Sequence, residues 1–325
     1  MLKYLKTVMA IALTAWTAAA FGQSPAAFPS KPIRLIVDFP AGGTSDILAR
    51  TIGQKLQEAW GQPVVAENRV GANGIIANEA LAKAAPDGYT IGIISSSLAI
   101  NLNLYPSLPF NTLTDIVPIT LIASTPNVLV VNATSGFKSV NDLVAAAKAK
   151  PGALNYASGG VGGSAHLAAE MFKRSAGIDL VHVPYNGMNP ALADLMGGRI
   201  DLMFAVLPVA LGHIKSGKMT MLAVADRNRS PMFPQVPTMS EAGVPNFVST
   251  AWYAVAAPAG VPRELLDRYS VEIARILKLP DVRERIASLG AEPRPMAPAE
   301  TSAFVKDEIA RYVQVIRDSG AKLDR

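Results

Sequence analysis

At 325 residues the chain has room for two compact domains, and with 50% hydrophobic and 17% charged residues it can fill a core in each. The absence of cysteine excludes disulfides, thiolate metal sites and a cysteine nucleophile. A formal charge of +5, with no basic run and no interleaving of aromatic and basic residues, gives nucleic-acid binding no support.

Lys3 and Lys6 precede an uncharged apolar run from Val8 to Ala20, and Ala20-Phe21-Gly22 puts small residues where a signal peptidase reads them. Residues 1–22 therefore read as a signal peptide cleaved after Gly22, with a cut after Ala20 as the alternative. The run is short for a bilayer span of about 20 residues, so export is expected rather than anchoring. Cleavage removes two lysines and no acid, which brings the charge from +5 to +3.

Pro32 to Val37 is a short β-branched run that reads as a buried strand. The loop Phe39-Pro40-Ala41-Gly42-Gly43-Thr44-Ser45-Asp46 follows, then Ile47, Leu48, Ile52 and Leu56 at helical spacing until Gly61-Gln62-Pro63. Thr44 or Ser45 is the expected N-cap. Two glycines let the backbone approach a ligand, and the unpaired N–H groups of a helix start suit a small anion such as a carboxylate. No Gly-Lys-Ser/Thr ending marks it as a nucleotide phosphate loop.

A second strand, Pro63 to Ala66, leads through Glu67-Asn68-Arg69 to Gly71–Gly74, which opens a helix with Ile75, Ile76, Ala80 and Leu81 on its apolar side. Tyr89 to Ile94 is a third strand, ending at Ser95-Ser96-Ser97, another candidate helix start. This β-α-β-α-β order implies a mostly parallel sheet with right-handed crossovers. Val117 to Ala123 and Val128 to Val131 are two apolar runs split by Ser124-Thr125-Pro126, read as a strand leaving one domain for the next.

A second α/β series follows. A helix after Ser139 precedes a strand at Leu154 to Ala157, and the loop Ser158-Gly159-Gly160-Val161-Gly162-Gly163-Ser164 opens a helix from Ala165 to Ser175. Asp179 to Pro184, Ile200 to Val206 and Met219 to Ala225 read as strands, with a helix around Pro190 to Met196. Val248 to Ala257 is the return strand, and two amphipathic helices end the chain, one from Pro262 and one carrying Phe304, Val305, Ile309 and Val313. Residues 23–123 and 250–325 thus form a discontinuous first domain, and 124–249 a second domain set inside it. A cleft between glycine-rich loops of both is the natural ligand site.

The pieces Pro29-Ser30-Lys31-Pro32-Ile33-Arg34, Phe39 to Asp46, Gly61-Gln62-Pro63-Val64-Val65, Glu67-Asn68-Arg69 and Ala85-Pro86-Asp87-Gly88-Tyr89-Thr90 form a recognisable series. Leu154-Asn155-Tyr156-Ala157-Ser158, Val183-Pro184-Tyr185, Gly197 to Phe204 and Ala257-Pro258-Ala259-Gly260 continue it. In order and spacing the chain resembles the Bug-type solute-binding proteins of tripartite tricarboxylate transporters, almost end to end. The resemblance implies an α/β two-domain Venus-flytrap of the type II periplasmic binding class, each domain a mostly parallel sheet flanked by helices. It implies a periplasmic monomer that captures a small di-, tri- or aromatic carboxylate and hands it to an integral-membrane permease of one large and one small subunit. An extracytoplasmic sensor of the same fold is the alternative. No catalysis and no cofactor are implied.

Three positions depart from the family pattern. Asp38 stands where proline is common; a buried unpaired carboxylate there would be costly and would repel an anion, so a solvated or arginine-paired position is expected. Val70 replaces a frequent proline. Ala205 stands where many members carry aspartate, and its lack of charge argues against amino-acid ligands.

The candidate ligand contacts are Ala41, Gly42, Gly43, Thr44 and Ser45 in the first loop, with Ser95 and Ser97 at the third strand's end. Ser158, Gly159, Gly162 and Ser164 supply the opposing loop, joined by His166, Tyr185 and Ala205. His166 is also readable as a packed or capping histidine, Trp252 and Tyr253 as cleft wall or core, and Asp46 as the structural partner of Arg50.

Rival chemistries fare poorly. Gly160 to Ala165 fits the relaxed dinucleotide pattern G-x-G-x-x-A, but an NAD-dependent oxidoreductase wants an acid at the end of the next strand, where Val183-Pro184-Tyr185 stands. No G-x-S-x-G elbow serves a hydrolase, and His166, His182 and His213 lack any metal-ligand spacing.

Overall fold

The computed structural model describes residues 28–319; the signal-peptide reading of residues 1–22 lies outside the described residues. The chain runs β1 (Ile33–Val37), α1 (Thr44–Trp60), β2 (Val64–Asn68), a 3-10 turn (Ala72–Gly74), α2 (Ile75–Ala82), β3 (Thr90–Ser95), α3 (Ser96–Leu104) and β4 (Ile116–Asn132). It continues with α4 (Val140–Ala149), β5 (Asn155–Ser158), α5 (Ser164–Ala176), β6 (Val181–Pro184), α6 (Met188–Met196), β7 (Leu202–Val206), α7 (Leu207–Lys215) and β8 (Met219–Val224). β9 (Thr250–Pro258), α8 (Arg263–Ile276), α9 (Pro280–Ser288), β10 (Glu292–Pro293) and α10 (Pro298–Ser319) complete it.

Each of two sheets has a parallel three-stranded core built from strand–helix–strand crossovers. In one, β1 pairs in parallel with β2 and β3; in the other, β5 pairs in parallel with β6 and β7. The remaining strands are antiparallel: β9 lies between β3 and β4, β10 pairs β4, and β4 pairs β7 and β8. The sheets are therefore mixed. The parallel cores are as expected from the β-α-β order, whereas the strands that carry the chain from one sheet to the other run against them.

Ser124-Thr125-Pro126 does not interrupt β4. The strand pairs β9 from Ile116 to Pro126, and from Asn127 onward it pairs β7 and β8. Asn127 ties the crossing to the returning chain: its N–H donates to Ser249 O at 2.9 Å and its Nδ2 donates to Ser249 Oγ at 2.9 Å. Ala225 N–H donates to Asn127 O and Ser249 N–H to Ala225 O, each at 2.8 Å.

Period-two alternation decides which layer each strand residue enters. Leu35 and Val37 pack with Leu48, Ile52 and Leu56 of α1 and Tyr269 and Ile273 of α8, while Ile36 packs on the other face with Leu98, Val305 and Tyr312. Trp252 belongs to that second face, and its Nε1–H donates to Glu308 Oε2 at 3.0 Å; it is core rather than cleft wall.

Two helices escape the sequence reading. α7 follows β7 without a polar break, and its signal is Pro208 in the first turn. α9 buries only Val282 and Ile286, and Pro280 marks its start. Ile76, expected on the apolar side of α2, is 46% exposed.

An aromatic group fixes α8 to the start of the first sheet. Trp60 and Tyr269 meet edge-on at 4.9 Å, Phe28 joins both, and the buried Tyr269 hydroxyl donates to Gly88 O at 2.8 Å. In urea melts, Tyr269→Ala should cost about 3–5 kcal/mol through cavity formation. Tyr269→Phe, which leaves only the Gly88 carbonyl unpaired, should cost about 1–2 kcal/mol.

Candidate functional site

The loops before α1 and α5 have the same backbone plan. Gly42 and Gly162 adopt φ of +77° and +82°, in the left-handed region that favours glycine. Gly43 and Gly163 are extended N-caps, at φ −75° and −76°. The expected capping by Thr44 or Ser45 is not found, because both already lie inside the helix.

The third residue of each helix closes its loop instead. Asp46 Oδ2 accepts Gly42 N–H at 3.0 Å, and His166 Nδ1 accepts Gly162 N–H at 3.2 Å. This resembles a capping box reaching one residue further back. Asp46 is also tied to Arg50 Nε at 3.0 Å and Asn68 Nδ2 at 3.0 Å. Burial opposes its charge, but Arg50, the Gly42 amide and Asn68 outweigh it and hold the carboxyl below its usual range. The structural reading of Asp46 holds. For His166, accepting at Nδ1 places the proton of a neutral ring on Nε2.

Between the two loops lies a cavity of about 120 Å³. The N-terminal turns of five helices border it: Thr44 and Ser45 of α1, Ser96 and Ser97 of α3, Ser164 to His166 of α5, Met188 to Pro190 of α6, and Val206 and Val209 at the start of α7. Among the described residues, no lysine, arginine, aspartate or glutamate lines it. A dinucleotide site would need an acid for ribose, and none is at the wall. The electrostatics at the wall are set by amides, hydroxyls and the positive ends of helices.

Of the predicted contacts, Gly43, Thr44, Ser45, Ser95, Ser97, Gly159, Ser164 and His166 line the cavity, and so does Tyr253. Six do not. Ala41 points to solvent. The Gly42 and Gly162 amides are taken by Asp46 and His166. Ser158 Oγ is 2.7 Å from His182 Nε2 and donates to Gly160 O, so it braces its own loop. The Tyr185 hydroxyl donates to Asp194 Oδ2 at 2.7 Å. Ala205 sits inside β7 opposite Val128, fully buried, and its methyl does not reach the wall.

Asn73, Asn189 and Val209 line the cavity without having been singled out. Asn73 had a signal, the Gly-Ala-Asn-Gly turn; its φ of +50° and its bond from Nδ2 to Asn101 Oδ1 at 2.9 Å aim it across the gap toward Gly162 and Gly163. On the opposite edge, Pro40 lies against Gly187, where a Cβ would stand 3.2 Å from the proline ring.

Asp38 is neither solvated nor arginine-paired. It is fully buried at the end of β1, where Ser95 Oγ donates to its Oδ2 at 2.6 Å. Ser45 faces it and Thr44 faces the Tyr253 phenol, but neither hydroxyl reaches hydrogen-bonding geometry, and Asp38 Oδ1 has no partner. Burial pushes the Asp38 carboxyl up to about 6, against the opposing bond from Ser95.

The folded chain therefore binds a proton more readily than the unfolded chain, and stability falls as pH rises from the unfolded pKa through the folded one. Carrying the carboxyl from its ordinary range up to about 6 is worth ~3 kcal/mol above that window. Asp38→Asn should raise stability by about 2 kcal/mol at pH 7.5 and by almost nothing near pH 4, read from urea melts at both.

Residues 48–321 match the family model described as the tripartite tricarboxylate transporter family receptor, TctC. BugT of Bordetella pertussis is 42% identical over 298 residues, covering 91% of each chain. Among solved structures, Rpa4515 of R. palustris with adipate superposes with a TM-score of 0.88 at 35% identity, over 91% of this chain and 100% of that one. MatC (Rpa3494) from Rhodopseudomonas palustris with bound malate gives 0.84 at 31% identity, over 89% and 100%. The periplasmic binding protein BugD gives 0.86 at 30%, over 91% and 99%. With paired helix-start loops facing one cavity and likeness along nearly its whole length, the chain belongs to the TctC, or Bug-type, family of tripartite tricarboxylate transporter receptors.

Proposed function

We propose that this protein is an exported, periplasmic solute receptor that captures a small carboxylate and delivers it, as a monomer, to an integral-membrane permease. The carrying observation is the convergence of five helix N-termini on a cavity whose described wall holds no lysine or arginine. Each helix start contributes roughly half a positive charge and unpaired N–H groups, which favour an anion without a fixed counter-ion. The solved relatives described with adipate and with malate hold acids of this size.

In this reading the two lobes are residues 23–123 with 250–325, and 124–249, joined at the Asn127–Ser249 crossing. Thr44, Ser45, Ser95 and Ser97 hold one end of the ligand, and Gly159, Ser164 and His166 the other. Ala41, Gly42, Ser158, Gly162 and Tyr185 act by shaping these loops. Lobe closure brings the Asn73 turn against Gly162 and Pro40 against Gly187. The protein returns its ligand unchanged.

Thermal unfolding against malate, adipate, citrate, benzoate, glutamate and NAD tests the reading. An acid at about 100 times its dissociation constant adds ~2.7 kcal/mol of stability. A selective shift with one carboxylate class supports it; a shift with NAD alone overturns it. Thr44→Val and Ser164→Ala should each weaken the selected acid by about tenfold or more, as expected for bonds to a charged group, in calorimetric titrations.

Gly162→Ala tests closure. Its Cβ would meet Leu104 Cδ2 at 2.8 Å and Asn73 Nδ2 at 3.1 Å, at a φ of +82°. The variant should keep its circular-dichroism spectrum and lose at least about tenfold in affinity, because the strain falls where the two loops meet.

A further inference from the structure

We propose that Asp38 makes ligand capture proton-coupled: an anionic solute enters the cavity together with one proton from solvent, which settles on the Asp38 carboxylate. The inference rests on the carboxylate reading and adds to it a residue that sets the charge state of the complex.

The geometry isolates this carboxylate directly behind the cavity wall. Its exposure is 0%, and Oδ1 has no hydrogen-bond partner. The groups that face it are Ser45 from α1, Ser95 and Ser97 from the start of α3, Gly74 from the 3-10 turn, whose Cβ would stand 3.3 Å from Asp38 Cβ, and the Tyr253 phenol from β9. None is a cation. The nearby arginines are engaged elsewhere: Arg50 with Asp46, and Arg34 and Arg69 with Glu67. His166 lines the same cavity, but its Nδ1 is bonded to the Gly162 amide.

Ser45, Ser95, Ser97 and Tyr253 line the cavity, so one layer of hydroxyl-bearing side chains separates Asp38 from an occupant. An ionised Asp38 and a bound carboxylate are then like charges in a dry setting, and one of them favours its neutral form. The ligand gains from five helix starts, whereas burial already pushes the Asp38 carboxyl up to about 6. The proton therefore goes to Asp38.

The serines give protonation a second consequence. Ser95 Oγ lies 2.6 Å from Asp38 Oδ2 and 2.8 Å from Ser97 Oγ. With Asp38 ionised, Ser95 donates to the carboxylate and Ser97 to Ser95, so both hydroxyl hydrogens point away from the cavity. With Asp38 protonated, its O–H donates to Ser95, Ser95 donates to Ser97, and the Ser97 hydrogen is released toward the ligand. One proton is bound from solvent and no covalent bond between heavy atoms changes.

The test is calorimetry of the mature protein with malate and with adipate from about pH 6.5 to 8.5, where both acids are essentially fully ionised. Two buffers of different ionisation heat are used at each pH. The dissociation constant should rise by close to tenfold per pH unit at the alkaline end, and the heat should depend on buffer as for uptake of about one proton. Asp38→Asn should bind with a pH-independent constant and no buffer dependence, while His166→Gln should keep the slope whatever its affinity. A flat profile in the wild type overturns the proposal and leaves the carboxylate reading standing. A slope that survives in Asp38→Asn and disappears in His166→Gln also overturns it, in favour of the histidine. Absence of binding at every pH to malate, adipate and the other carboxylates of the thermal-unfolding panel overturns the carboxylate reading and this proposal with it.

Discussion

A parallel strand can be followed by another only through a crossover, so the carboxyl end of one strand is handed to the amino end of a helix at the same sheet edge. That constraint organises this molecule. β1, β3, β5, β6 and β7 each end within a few residues of a helix start, and all five helix starts border one cavity. The two sheets present these edges to each other because β4 passes unbroken from one to the other and Ser249 brings the chain back beside Asn127. The topology by itself supplies a field that attracts an anion, without a single lysine or arginine at the described wall.

Such a field needs rigid loops, since a displaced amide loses its aim. Both glycine loops spend a side chain on this: Asp46 holds the Gly42 amide and His166 the Gly162 amide. Those bonds use N–H groups that sequence reasoning would have assigned to the ligand. What remains for an occupant is the helix-start hydroxyls and the amides beyond each N-cap. Asp38 works in the opposite sense, placing a negative charge behind the wall that the helix starts make positive. The cavity is therefore tuned between attraction at its surface and repulsion one layer deeper, and the outcome depends on whether that carboxylate holds a proton.

Much of this was legible in the sequence, for physical reasons. Strand–glycine–helix units are local, so β1 to α1 and β5 to α5 could be placed from apolar periodicity and turn chemistry alone. The same local reading located the two cavity loops. What failed was information that is not local. Ser158 and Tyr185 look like ligand groups until His182 and Asp194 arrive from other elements to engage them. Asp38 looks solvated or arginine-paired until Gly74 and Ser95 close over it. Asn73 acquires its role only when the 3-10 turn is set opposite Gly162. α7 was lost because Val206-Leu207-Pro208-Val209 continues β7 in composition, and only the proline distinguishes a helix start from more strand.

The absence of a fixed cation at the wall has a consequence for selectivity. An arginine clamp recognises a carboxylate by bidentate geometry and rejects poor fits strongly. Helix starts and serines, by contrast, hold negative charge over a broader area, and their hydroxyls can either donate or accept. Chain length and side groups are then read by the apolar part of the wall, where the side chains of Phe39, Met188 and Val209 offer shape but no hydrogen bonds. On the proposed reading, ligand choice lies with those apolar positions, while the protonation of Asp38 sets the charge at which the ligand is accepted.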